Sequence, residues 1–141
     1  MTDPTHAIDR ERRGISELDD ATCWELLRRG RVGRLAVSIK NRPDIFPVNY
    51  RVDDEAIVIK TAPGLKLAAA TLGAAVAFEI DELDEVARTG ASVVVKGRAD
   101  EITALGELFG ADALGVEPWA SGPKNRFFRL VPDSVTGRRI D

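Results

Sequence analysis

Between Val32 and Lys60 the chain sets out three strand-type runs whose connections are too short to hold a crossover helix. VGRLAVSI (Val32 to Ile39) is the first. Lys40-Asn41-Arg42-Pro43-Asp44 has strong turn chemistry and leads into IFPVNYRV, from Ile45 to Val52. Asp53-Asp54 supplies the next turn, and Ala56 to Lys60 resumes the apolar run. Parallel neighbours need a dozen or more connecting residues, so these three strands form an antiparallel meander.

The rest of the chain reads as strands with little helix. Residues 1–14 (MTDPTHAIDRERRG) are polar, without apolar period, and read as a flexible arm preceding a single domain over 15–141. Asp19 is a good N-cap for a helix to about Arg29 that turns Cys23, Trp24, Leu26 and Leu27 inward, with Gly30 at its end. Ala74 to Ile80 is a fourth strand, and acidic Asp81 to Thr89 reads as a solvated loop. Ala91 to Ile102 is the longest strand, with Gly97 marking a bulge or a close backbone approach. Thr103 to Ala111 reads as a short helix, and Pro118 to Asn125 as a stiff loop carrying Trp119. Arg126 to Val131 and Asp133 to Ile140 are two further strands. About six strands predict a closed or nearly closed antiparallel barrel, mainly β with short helices.

Composition removes several function classes. A net charge of −3 gives no general attraction to nucleic acid or anionic membranes. One cysteine, Cys23, excludes an intramolecular disulfide and a cysteine-cluster metal site, and His6 as sole histidine disfavours a histidine-held metal or a serine–histidine triad. No apolar run approaches a membrane span and the N-terminus lacks a signal-peptide core, so the expected location is the cytoplasm.

One stretch suggests a ligand. After Lys60, the residues Thr61-Ala62-Pro63-Gly64 break the strand, and Leu65-Lys66-Leu67-Ala68-Ala69-Ala70 has helix composition. A hydroxyl, flexible backbone and an ammonium thus collect at a helix start, where free N–H groups and the dipole suit a phosphate. On these residues alone, an ordinary strand-to-helix connection with a solvated Lys66 is the favoured account.

The order GRLAVSI, FPVNYRVDDEAIVIKT, GLKLAA, SVVVKGRADEI and FFRLVPDSVTGRRI resembles the pyridoxamine 5′-phosphate oxidase-like family of FMN-binding split barrels, in its small actinobacterial branch related to nitroimidazole-resistance proteins. The resemblance covers roughly Leu18 to Ile140. It implies a six-stranded split barrel that forms a homodimer, with FMN at two sites between subunits. It also implies that Pro47-Val48-Asn49-Tyr50 lies along the isoalloxazine ring, partly through its backbone. Lys60, Thr61 and Lys66 would hold the FMN phosphate, and Trp119 and Arg138 would be brought by the partner chain.

Departures from the oxidase pattern bear on substrate. The helix-start basic pair reads Lys66-Leu67, Tyr50 stands roughly where the oxidase keeps a substrate-side lysine, and the terminal arginine–leucine–histidine element is absent. Vitamin B6 phosphates are therefore not the expected substrate, and the sequence names no other. The expected function is FMN-dependent oxidoreduction, with the flavin carrying the chemistry and no catalytic side chain standing out. A deazaflavin F420 enzyme is the alternative, its polyglutamyl tail tracked by Arg126, Arg129, Arg138 and Arg139, which read equally well as solvated strand positions. A non-enzymatic flavin- or haem-binding module is the third reading, with histidine-ligated haem disfavoured.

Overall fold

The computed structural model describes residues 14–61, 74–102, 110–111, 114 and 126–141. Strand β1 (Ile15–Leu18) leads into helix α1 (Asp20–Arg29), followed by β2 (Val32–Ile39), β3 (Arg42–Asp53), β4 (Ala56–Thr61), β5 (Ala75–Asp84), β6 (Thr89–Glu101) and β7 (Arg126–Ile140). Their order is β1-β7-β4-β3-β2-β5-β6, and β6 also pairs with β7. The six long strands therefore close into an antiparallel ring, as the sequence predicts. The short β1 is an addition: it pairs beside the end of β7, from Ile15 opposite Ile140 to Leu18 opposite Gly137.

Alternation along each strand sorts the core. Leu35, Val48, Tyr50, Ile57, Ile59, Phe78, Val93, Val95, Phe128 and Leu130 point into the barrel, and α1 plugs one end with Cys23, Trp24, Leu26 and Leu27. Each such aliphatic or aromatic side chain contributes about 1.5–3 kcal/mol by leaving water. Asp19 caps α1 as expected, accepting a 2.8 Å hydrogen bond from the Thr22 N–H, and hydrogen bonding from the Thr22 side chain and then its backbone holds the carboxyl below the usual carboxylate range. Arg28 and Arg29 stand in the last turn.

Three boundaries differ from the expectation. The loop foreseen over Lys40 to Asp44 shrinks to Lys40 and Asn41, both at positive φ, because Ile39 pairs directly with Arg42. Pro43 is tolerated since that stretch of β3 has β2 as its only described strand neighbour. The acidic stretch foreseen as loop is largely strand: β5 runs to Asp84, which pairs with Thr89. Its carboxylates are compatible with a sheet because Asp81 meets Arg34 and Glu82 meets Arg29. Asp84 instead closes the hairpin by accepting from the Val86 and Ala87 N–H groups at 3.1 and 3.0 Å.

The two final strands are one. β7 runs unbroken through Pro132, where its outer partner changes from β4, last paired at Leu130, to β1, first paired at Gly137. A missing N–H costs no ladder bond in such a gap. Opposite it, the register shifts between Lys96, facing Ser134, and Gly97, facing Pro132, leaving Asp133 as the extra residue. The bulge anticipated from Gly97 is present, and a Cβ at Gly97 would overlap the Val131 carbonyl.

The expected helix after Gly64, most of the one from Thr103, the loop carrying Trp119 and the arm before Gly14 lie outside the described residues. Among the described residues no helix is long and apolar enough to cross a membrane.

Candidate functional site

The meander builds an open strand edge on the outer wall of the barrel. Along β3, Phe46, Val48, Tyr50 and Val52 pack on the interior cluster, so Pro47, Asn49 and Arg51 take the other face. Asn49 stands directly opposite Lys60, and Lys60 in turn opposite Phe127 of β7. The β3–β4 ladder stops at that pair, while β3 continues backward through Val48 and Pro47 along β2 alone. Backbone groups of β3 just before Asn49 therefore have no described strand on their second side, beside the end of β4 at Thr61.

Two side chains set the chemistry of this edge. Asn49 is 5% exposed, the single buried amide or charged side chain among the described residues. The Lys60 ammonium lies 5.3 Å from the centre of the Phe127 ring and forms no salt bridge with a carboxylate among the described residues. Val58 and Phe127 are sealed on this wall by Ile102, Ala111 and Leu114, which makes the base of Lys60 apolar. A cation on an apolar shelf, an amide beside it and an open strand edge suit an anionic ligand with a flat polar ring.

Tyr50 serves the fold. Its ring is 1% exposed, meets Phe78 edge-on at 4.9 Å, and its hydroxyl donates a 2.7 Å hydrogen bond to the Leu27 carbonyl in the last turns of α1. Burial pushes the phenol well above its ordinary pKa. Gly30 permits this contact, because a Cβ there would overlap the Tyr50 hydroxyl. Any part of Tyr50 or Val48 in a site on the outer wall falls to the backbone.

The remaining candidates are scattered. Thr61 ends β4 at the edge, opposite Arg126. Lys66 and Trp119 lie outside the described residues. Arg138 lies eleven residues beyond Phe127 on β7, opposite Ser92 and Glu17. That separation is on the order of 35 Å of extended chain, too far for one subunit to join Arg138 to Lys60. Of the four arginines proposed as a track for an F420 tail, Arg126 grips Glu101 with two bonds of 2.5 and 2.7 Å and Arg129 meets Asp53 at 2.9 Å.

Sequence reasoning named Arg138 but missed its neighbours on the outer face of β6 and β7, where it lines a cavity of about 270 Å³ with Ser92, Lys96 and Thr136. The alternation in SVVVKG carried the signal for β6. Splitting β7 in two hid its partner residues, because the bulge at Asp133 moves the inward and outward positions by one.

An antiparallel split barrel with a polar strand edge on its wall defines a class of small-ligand-binding barrel. The chain belongs to the pyridoxamine 5′-phosphate oxidase family, whose model matches residues 19–139. It is 32% identical over 139 residues to the uncharacterized protein Rv0080 of Mycobacterium tuberculosis, spanning 95% of this chain and 91% of that one. Among solved structures it is similar to an FAD-binding protein from Mycobacterium smegmatis, with 31% identity, TM-score 0.75, and 88% of this chain and 96% of that one covered. An FAD-binding protein from Mesorhizobium loti is 27% identical, with TM-score 0.77 and coverage of 90% and 99%.

Proposed function

We propose that this protein is a flavin-dependent oxidoreductase, acting as a homodimer in the cytoplasm on a small molecule other than a vitamin B6 phosphate. The observation that carries the reading is the open β3 edge at Pro47 and Val48, next to Asn49 and to Lys60, a cation without a described carboxylate partner. The family supports a flavin there, and two structural relatives are FAD-binding proteins. FMN and the flavin half of FAD share the riboflavin phosphate, so either offers the edge a ring and an anion.

A bound flavin supplies hydride or electron transfer. The chain's own residues supply the rest. The β3 backbone and Asn49 orient the ring's polar edge. Lys60, Thr61 and Lys66 hold the phosphate. If Arg138 contributes to the same groove, its distance from Lys60 along β7 calls for a second subunit to bring it there. Trp119 is proposed to arrive with it. Engagement of Arg126 and Arg129 by carboxylates argues against an F420 track along β7.

Titrating FMN and riboflavin into wild type, Lys60→Ala and Lys66→Ala tests the phosphate assignment. A sheltered charge-assisted hydrogen bond contributes about 1.5–3 kcal/mol. Each variant should therefore lose about ten- to a hundredfold in FMN affinity while riboflavin barely changes. Equal loss for both flavins, or no loss for either, would remove these lysines from the phosphate site.

A further inference from the structure

We infer that the groove between α1 and the bulged stretch of β7 binds a small organic cation that also carries a hydrogen-bond acceptor, in the manner of an N-acylated aliphatic diamine. The groove follows from the change of neighbour at Pro132. β4 last pairs with β7 at Leu130 and β1 first pairs with it at Gly137, so β7 has no described strand on that edge in between. α1 lies against this gap, with Asp20, Trp24 and Arg28 across the cavity from Val131 to Val135, and Glu55 of the β3–β4 turn completes the lining. The space is about 810 Å³, within the range of small-molecule sites. It shares no residue with the β3 edge proposed for the flavin.

One buried donor faces this space. Trp24 is 9% exposed and lines the cavity, and its indole N–H donates no hydrogen bond to a described residue. Among the described residues no enclosed side-chain nitrogen or oxygen lacks a partner, so this N–H reaches the open groove. A donor fixed there by packing suits the acceptor of a ligand. Asp20 and Arg28 stand one helical turn to either side of Trp24, each about 6 Å away at Cβ. The Arg28 guanidinium rests 5.9 Å from the centre of the Trp24 ring.

Charge sets the sign and direction of the ligand. Asp20, Glu55 and Asp133 are exposed on the rim, and none joins a salt bridge among the described residues. The one cation of the lining is Arg28, so the groove is negative overall. An ammonium is drawn to the Asp20 end, while a carbonyl meets the two donors, Trp24 and Arg28. Ala21, Pro132, Val135 and the 57% exposed Val131 offer apolar surface to a methylene stem between them. An anion of the same shape is opposed by three carboxylates.

Calorimetry of the full chain at low salt provides the test, with N-acetylcadaverine, its neutral isostere N-hexylacetamide, and cadaverine. N-acetylcadaverine should bind at least tenfold more tightly than N-hexylacetamide. Asp20→Asn should weaken it at least threefold and leave N-hexylacetamide unchanged. Trp24→Phe should weaken it at least threefold and leave cadaverine unchanged, because cadaverine offers the lost N–H no acceptor. Equal binding of N-acetylcadaverine and N-hexylacetamide, or binding of neither, would overturn the cation site. Equal loss of N-acetylcadaverine and cadaverine in Trp24→Phe would overturn the acceptor assignment, since damage to packing acts on both. A capped lysine tripeptide binding tenfold more tightly than N-acetylcadaverine would overturn the small molecule in favour of a polypeptide segment. Competition by FMN would give the groove to the cofactor instead, whereas failure of the amine to bind leaves the flavin reading untouched.

Discussion

Tyr50 illustrates how a residue in a candidate site stretch can be committed to the fold. Its hydroxyl satisfies the Leu27 carbonyl, one of the acceptors a helix end leaves open. Tyr50→Phe strands that carbonyl and should cost about 1–3 kcal/mol in urea unfolding. The phenol's pKa is raised in the folded state, chiefly by burial. The stability it lends is therefore complete below about pH 10, where the unfolded chain's tyrosine ionises, and falls as pH rises above that. Wild type should lose stability on this alkaline limb and Tyr50→Phe should lose less. Tyr50 is the sole tyrosine, so its phenolate absorbance reports the event directly. A phenol titrating near pH 10 in the folded protein would contradict the buried placement. Adjacent Asn49 takes the opposite face of β3, and alternation alone separates the two.

At the scale of elements, the legible features were those with local chemistry. Asp19 and Gly30 bounded α1, and the short turns fixed the meander of β2 to β4. Gly97 marked the bulge because a glycine inside an apolar strand needs a reason. That reason is the Val131 carbonyl, and Gly97→Ala should cost on the order of 1–3 kcal/mol and broaden thermal unfolding. A variant as stable as wild type would mean the bulge relaxes freely. Features set by distant partners were not legible. The acids of β5 look like loop residues until Arg29 and Arg34 arrive from other elements. Pro132 looks like a strand end until the change of neighbour from β4 to β1 is seen. The same holds for β1, four residues whose strand state depends wholly on β7. Of the candidate site, the β3 stretch and Lys60 were readable from the family order. The β6–β7 groove required a register that sequence does not display.

For the whole molecule, barrel closure bears on the proposal of a cofactor groove shared with a second copy. With β6 paired to β7 the ring encloses side chains, leaving ligands to the outer wall. Ile15, Leu83 and Ile140 remain exposed at the end that carries Arg138, a surface suited to a second subunit. Sedimentation should show a dimer at micromolar concentration, and a flavin-loaded monomer would break the shared-site account. Pyridoxal phosphate should not form from pyridoxamine phosphate under air with saturating FMN, and turnover near the common enzyme median of ~10 s⁻¹ would contradict the substrate argument. The most direct measurement is the chromophore itself. The purified protein, denatured and its released small molecules identified by mass and absorbance, should yield FMN or FAD at one per chain. If it purifies colourless, it should take up either one on titration. A protein that releases F420 or haem, or that remains colourless and binds neither flavin, would contradict the account.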